Sequence, residues 1–476
     1  MTWLAHIDAV HCGNDWPAVF DATGPVSGRA LIGKAVYAAE LLTTLESRPG
    51  RAVPALLTVN ADALALLLGG AAANRPLAPL GPRLTPAELA AVLFATDARV
   101  LLTEPAFAET ARAAAELANV RVVSLGSLPS SVGRLDGNCE VAFHLHTAGT
   151  TGAPKPVAFT PSVLVARGEV LTELVGFGAG DRYATGSPIH HIGGLGNVLA
   201  ALGAGAAILP TTHFSAAWWR SLREFGATHC LLVPSMIEML LQDGLLDAVP
   251  LRSLIYGASP ITEYTLSRVL HTLPGVRVVS LFGQTEGSPI TSLGPDDHRR
   301  AVEGAPHLLG TVGRAVPGLR LAIDSPDETG TGEVLAAASH LSVCGLDGWL
   351  HTGDLGVIDA DGYLRLVGRQ HDMVVRGGEN IYPVEVENVL CSHPRVAAAA
   401  VIGVADTRLG ETLAAYIVPV DRHDPPDEND LRSFTRARLS GFKVPATWSL
   451  LDRLPRNSAG KLNRMALRQM HDRAGG

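Results

Sequence analysis

The chain has 476 residues, 47% of them hydrophobic and 18% charged, with a formal net charge of -8 at pH 7. Its length exceeds what one hydrophobic core supports, its composition is that of a folded chain, and its acidic balance leaves no basic footprint for nucleic acid. Cys12, Cys139, Cys230, Cys344 and Cys391 stand singly, outside any metal-ligand or redox spacing, and their odd number argues against a disulfide framework.

A reducing, cytoplasmic setting is therefore expected, and the first eight residues lack the basic region and apolar core of a secretory signal. Ala55 to Val59 reads as a strand and Asp62 to Leu68 as a helix. The Ala/Leu-rich stretch from Ala61 to Ala73 contains Asp62, Gly69 and Gly70 and is too short to span a bilayer, so it reads as a core helix. Val141-Ala142-Phe143 reads as a buried strand. It leads into His146-Thr147-Ala148-Gly149-Thr150-Thr151-Gly152-Ala153-Pro154-Lys155, three hydroxyls, two glycines and a terminal cation in one predicted turn. Glycines let the backbone approach an anion, and turn amides, hydroxyls and the lysine complete a polyphosphate grip. A solvent-exposed turn is the alternative that this segment alone leaves open, and no Walker A spacing is present. Farther on, His229 to Val233 reads as a strand and Ser235 to Leu241 as a helix. This alternation implies α/β layering with largely parallel sheets. After Asp372 the character changes. Pro383 opens a Val/Glu-patterned helix, Ala399 to Gly403 and Ala414 to Val418 read as strands, and Asp421 to Asp430 is a polar loop, together an α+β unit of reasonable domain size.

Four further segments follow the glycine-rich one in order: Phe282-Gly283-Gln284-Thr285-Glu286-Gly287, His351-Thr352-Gly353-Asp354, Gly368-Arg369-Gln370-His371-Asp372, and Ser458-Ala459-Gly460-Lys461-Leu462-Asn463-Arg464. The set closely resembles the adenylate-forming, or AMP-binding, superfamily of acyl- and aryl-CoA synthetases, peptide-synthetase adenylation domains and firefly luciferase. The resemblance runs over nearly the whole chain. It implies a large multi-layered domain over residues 1–371 and a small mobile C-terminal lid over 372–476. It also implies ATP- and Mg2+-dependent conversion of a carboxylic acid to an acyl-adenylate, then transfer to the thiol of CoA.

Residue by residue, the resemblance assigns Thr147, Thr150, Thr151, Gly152 and Lys155 to the β- and γ-phosphates. Ala148 stands where serine is usual and Pro156 where glycine is common. Glu286 is the expected Mg2+ ligand, with Thr151, and Thr285 reaches the α-phosphate. Gly257, Ala258 and Ser259 match the loop packed on adenine, and Phe282, Gly283 and Gln284 belong to the same nucleotide wall. Asp354 suits the ribose hydroxyls, with Arg369 nearby. Asp372 takes the hinge position, Gly377 and Gly378 the pantetheine tunnel, and Lys461 the bridge between acyl carboxylate and α-phosphate.

His191, within His190-His191-Ile192-Gly193-Gly194-Leu195-Gly196, takes the histidine position of the acyl pocket, where the resemblance also gives it a catalytic part in closing over the acyl group. Gly193, Gly194, Tyr256, Leu281 and Pro289 are the other expected walls. No aspartate stands between Ser187 and Leu199, which disfavours an α-amino acid and leaves aryl and fatty acids open. Phe442 and Lys443 are candidates for touching a CoA nucleotide, but the acceptor stays open between CoA and the phosphopantetheine of an acyl-carrier protein. A degenerate nucleotide-binding protein without turnover is the third reading.

Overall fold

Strands whose residues are all buried, Val53–Leu56, Val100–Thr103 and His229–Leu232, set the architecture, because such runs require a sheet covered on both faces. The computed structural model describes residues 2–22, 24–148, 154–211, 213–376, 379–406, 408–456 and 462–475. Among these residues four sheets are present. The first has the order Arg121–Ser124, Val100–Thr103, Val53–Leu56, Leu77–Leu80, Phe143–Ala148, Pro154–Phe159, parallel except for its last pair. The second has a parallel centre, Pro17–Asp21, Ala207–Leu209, Arg182–Thr185, His229–Leu232, Ser253–Gly257 and Arg277–Phe282, with antiparallel strands at both edges.

Helices fill the layers between and outside these sheets. One continuous core joins Val53, Ala55 and Phe143 of the first sheet to Val19, Tyr183, Ile255 and Leu281 of the second, through helices Gly28–Leu45, Ala61–Ala72, Pro161–Val175 and Ile192–Gly203. Strand side chains alternate between faces. Leu56, Leu80 and Leu101 accordingly pack under an outer helix pair, and Leu232, Leu254 and Tyr256 pack with Trp219, Ile237 and Leu266 on the far side of the second sheet. The helix Pro161–Val175 shows its local causes plainly. The Thr160 hydroxyl accepts from the Val163 amide, Pro161 occupies the first turn, and Gly176 closes the end at φ 82°. The Ala61–Ala72 helix is buried as expected, and among the described residues no helix is long and apolar enough to cross a membrane.

A four-stranded antiparallel sheet follows, ending with Leu350–Ile358 and Leu364–Arg369. After the turn Gln370–Asp372, strands from Val374 to Leu450 build the fourth sheet, with its own core of Val374, Val386, Leu390, Val401 and Ile417. The fold is thus mixed α/β with a large parallel-rich part and a smaller C-terminal part, as the patterning implies. Two local expectations are corrected. The strand expected at Val141 to Phe143 begins at Phe143 and runs through Thr147, because its residues pair with the returning strand, Thr147 opposite Lys155. Leu57 to Val59 lie beyond the end of their strand at Leu56.

Candidate active site

The carboxyl ends of parallel strands are where open α/β sheets expose backbone and polar loops, and two of the sequence-predicted segments lie there. Gly257, Ala258 and Ser259 follow directly at the end of Ser253–Gly257, and Gly283 to Gly287 follow the neighbouring strand Arg277–Phe282. In the second loop the Gln284 amide donates to the Gly287 carbonyl at 2.8 Å and the Gly287 amide returns to Gln284 at 3.1 Å. This tight turn presents Thr285 and Glu286. A Cβ on Gly283 would lie 2.7 Å from the Gly287 carbonyl oxygen, so the turn closes only around glycine. Phe282 packs with Ile290, Leu341 and Leu350 beneath it.

From the first sheet, Thr147 Oγ1 donates to Glu286 Oε1 at 3.2 Å, joining segments 139 positions apart. Lys155 sits opposite Thr147 in the antiparallel register and is exposed. Thr150, Thr151 and Gly152 lie outside the described residues, as do Gly377, Gly378 and Lys461. Just behind Thr147, burial pulls the His146 imidazole down to about 4, with both ring nitrogens unpartnered. Among the described residues no group of three or more His, Cys, Asp or Glu is placed to hold a metal ion.

Asp354 and Arg369 face each other across adjacent strands, Arg369 Nε donating to Asp354 Oδ1 at 2.9 Å. Asp354 is buried while the arginine is largely exposed. The Thr352 hydroxyl fixes the local turn, accepting from the Asp354 amide at 3.1 Å and donating to the Val334 carbonyl at 2.7 Å. His351 lies between Glu333 and Asp347, 3.0 Å from each, and hydrogen bonds to these carboxylates raise it to about 9. Asp372 receives Arg464 Nε at 3.2 Å. Arg464 also holds both Glu387 oxygens, at 2.6 and 3.1 Å, and the Val401 carbonyl at 2.7 Å. The flanks of the Lys461 segment pair as an antiparallel bridge, Arg456 with Leu462, and the Asn463 amide donates to the Pro455 carbonyl at 2.9 Å. Lys443 is engaged by Glu385, at 2.8 and 2.7 Å from its two oxygens.

On the acid side, His191 occupies the N-cap position of helix Ile192–Gly203, its ring centroid 4.3 Å from that of His190. Burial pulls His190 down to about 3, with His191 and Arg83 adding to the effect. A Cβ on Gly194 would lie 2.2 Å from the Pro188 carbonyl, whereas one on Gly193 would meet nothing within 4 Å. Leu281 points to this helix-bearing face of the sheet. Pro289 is buried and its carbonyl lies 2.7 Å from His340 Nε2. Tyr256 is a correction. Strand parity puts its ring on the opposite face, in the core with Leu254 and Leu232, where its hydroxyl meets His298 Nε2 at 3.1 Å.

Sequence reasoning missed Arg167. It lies on the buried stripe Val163, Leu164, Arg167, Leu171, Val175 of the helix Pro161–Val175, and a lone basic residue at that spacing was the available signal. Arg167 is 3% exposed, and its Nε is buried without a hydrogen-bond partner. Burial pulls it down to about 9, so it remains a cation at neutral pH.

Residues 8–342 match the family model described as AMP-binding enzyme, and residues 385–461 that of the AMP-binding enzyme C-terminal domain. A fatty acid–[acyl-carrier-protein] ligase of Streptomyces coeruleorubidus is 33% identical over 438 residues, 85% of this chain and 83% of that protein. A sulfoacetate–CoA ligase of Cupriavidus necator is 29% identical over 503 aligned positions, 98% of this chain and 97% of that protein. Among solved structures, amide bond synthetase McbA from Marinactinospora thermotolerans superposes with a TM-score of 0.87 at 29% identity, covering 98% of this chain and 99% of that one.

Proposed function

The chain belongs to the AMP-binding enzyme family, and on that footing we propose that it activates a carboxylic acid with ATP and passes the acyl group to a thiol, as an acid-thiol ligase. The observation that carries this is the Thr147–Glu286 hydrogen bond, which brings the phosphate-loop strand of one sheet to the acidic turn of the other. Attack of a carboxylate on the α-phosphorus, with pyrophosphate leaving, spreads negative charge over several oxygens, so the protein's task is positioning and electrostatics. Thr147 and Lys155, with Thr150, Thr151 and Gly152, hold the β- and γ-phosphates. Thr285 addresses the α-phosphate. Gly257, Ala258 and Ser259, with Phe282, Gly283 and Gln284, wall the adenine end, and Asp354 and Arg369 hold the ribose. Glu286 beside a threonine hydroxyl is a hard-oxygen set suited to Mg2+, which is held by few carboxylates together with substrate phosphates. The ion offsets phosphate charge when bound.

Lys461 bridges the acyl carboxylate and α-phosphate in the first step. The C-terminal part, residues 372–476, then turns about Asp372, and the thiol arm enters past Gly377 and Gly378. His191, Gly193, Gly194, Leu281 and Pro289 line the acid's pocket. The relatives act on unlike acids, so the acid is left to that pocket. A carrier-protein phosphopantetheine is the second reading of the acceptor. It is supported by Lys443, whose ammonium is already paired with Glu385 and so is poorly placed to bind the phosphates of CoA. Pyrophosphate release across a panel of acids, followed by mass analysis with CoA or a holo carrier protein, tests both steps. Absence of ATP- and acid-dependent pyrophosphate release would refute the ligase reading.

A further inference from the structure

Arg167 is a buried charge for which adenylation has no use. An uncompensated guanidinium in an apolar interior is strongly destabilising, and buried charges are ordinarily paired. Yet among the described residues Arg167 makes no ion pair or hydrogen bond. The fold has instead made room for it. Gly196 lies under the guanidinium so closely that a Cβ there would sit 2.5 Å from Nε and 2.8 Å from Nη2. Gly193 is three residues earlier on the same helix face and borders open space. The helix carrying both glycines starts at His191 and packs on the sheet face that bears Ile255, Val279 and Leu281. The charge of Arg167 also reaches His340, whose Nε2 is bonded to the Pro289 carbonyl. The cation therefore lies against the helix capped by His191 and within electrostatic reach of His340, the histidine that holds the Pro289 carbonyl.

We propose that Arg167 is the specificity determinant for a second carboxylate, so that the acid activated is a dicarboxylic one whose distal group pairs with this guanidinium. The inference rests on the acid-activating reading of the site. The planar fork of arginine matches a carboxylate in two parallel hydrogen bonds, and such a pair gains strength where water is excluded. A substrate that brings the counter-charge would explain why the chain supplies none.

The test uses acids matched in length and shape whose far ends are carboxylate, carboxamide or methyl. Each is assayed by pyrophosphate release, and separately by calorimetric binding in the presence of a non-hydrolysable ATP analogue. The diacid should be favoured over its methyl counterpart by at least about thirtyfold, the scale of a desolvated charge pair. Arg167→Met should bring that ratio close to one, Arg167→Lys should keep part of it, and Gly196→Ala should erode it by displacing the guanidinium. The ligand-free Arg167→Met protein should also melt higher than wild type, since it sheds an unpaired charge, whereas loss of a structural arginine would lower the melting point. Equal binding of diacid and methyl acid by the wild type, or an unchanged ratio in Arg167→Met, overturns the proposal. Arg167-dependent diacid binding without pyrophosphate release from any acid would sink the ligase reading and leave this one standing. Turnover of monoacids alone, indifferent to Arg167, would do the reverse.

Discussion

Replacing Arg464 by methionine probes what fastens the C-terminal sheet to the turn that leads into it. The guanidinium makes four contacts of 2.6 to 3.2 Å, to Asp372, both oxygens of Glu387 and the Val401 carbonyl. The Glu387 side chain is 12% exposed and Asp372 29%. The loss should therefore be dominated by Glu387, which keeps the Val401 amide at 2.8 Å but no cation. Breaking a buried pair from one side costs about 3–5 kcal/mol, whereas the more exposed Asp372 contact is worth about 1 kcal/mol or less. Against the roughly 5–15 kcal/mol that holds a domain together, the C-terminal sheet should open far more readily. Native-state hydrogen exchange should locate the loss between residues 374 and 475, and amides before Arg369 should keep their protection. Adding Glu387→Leu should restore much of the loss, because replacing both partners by apolar groups is close to neutral. A loss under about 1 kcal/mol, a loss shared equally by the large part, or a double variant as weak as the single one would refute the reasoning.

Lys461→Ala should abolish most pyrophosphate release while sparing thioester formation from a supplied acyl-adenylate. A preorganised donor of this kind is worth on the order of 3 kcal/mol of barrier, and equal damage to both half-reactions would count against the assignment. Gly378→Leu should do the opposite in single-turnover assays, leaving pyrophosphate release near normal and slowing thiol capture; unchanged capture would remove the tunnel role. Stability should fall with acidification, because burial holds His146 and His229 at about 4 and His190 at about 3. Below the unfolded value of about 6.5 the unfolded chain takes up protons that the fold refuses, each unit of difference being worth about 1.4 kcal/mol. Melting curves from pH 8 to pH 4 should drop below 6.5, and His190→Gln should flatten them; superimposable curves would contradict this.

Composition and strand-helix alternation were enough to read the α/β layering, because fully buried strands such as His229–Leu232 and periodic helices such as Pro234–Gln242 announce themselves locally. Motif order tied Thr147 to Glu286, which come together over 139 positions that no local pattern spans. Tyr256 was misread because the side of a strand depends on register, and a shift of one residue exchanges pocket for core. Arg167 was passed over because it belongs to no motif. Its meaning comes from Gly196, 29 positions later, and from the absence of a described counter-charge. The partners of Arg464 and Lys443 were equally hidden, as both depend on carboxylates that reach them from the distant helix Pro383–Cys391.

The helix layer shared by the first two sheets bears on how this protein can be divided. Neither sheet owns a complete interior, since Val53 and Phe143 on one side and Tyr183 and Leu281 on the other bury themselves against the same helices. A cut between Phe159 and Arg182 would leave each piece with an apolar surface bare to water, and would also part the strand Pro17–Asp21 from the rest of the second sheet. The two form one indivisible cooperative block, in which damage at either sheet is felt by both. The sheet that starts at Val374 encloses its own interior, so it is the portion that shuffling, splitting or grafting between relatives can exchange without dismantling its neighbour.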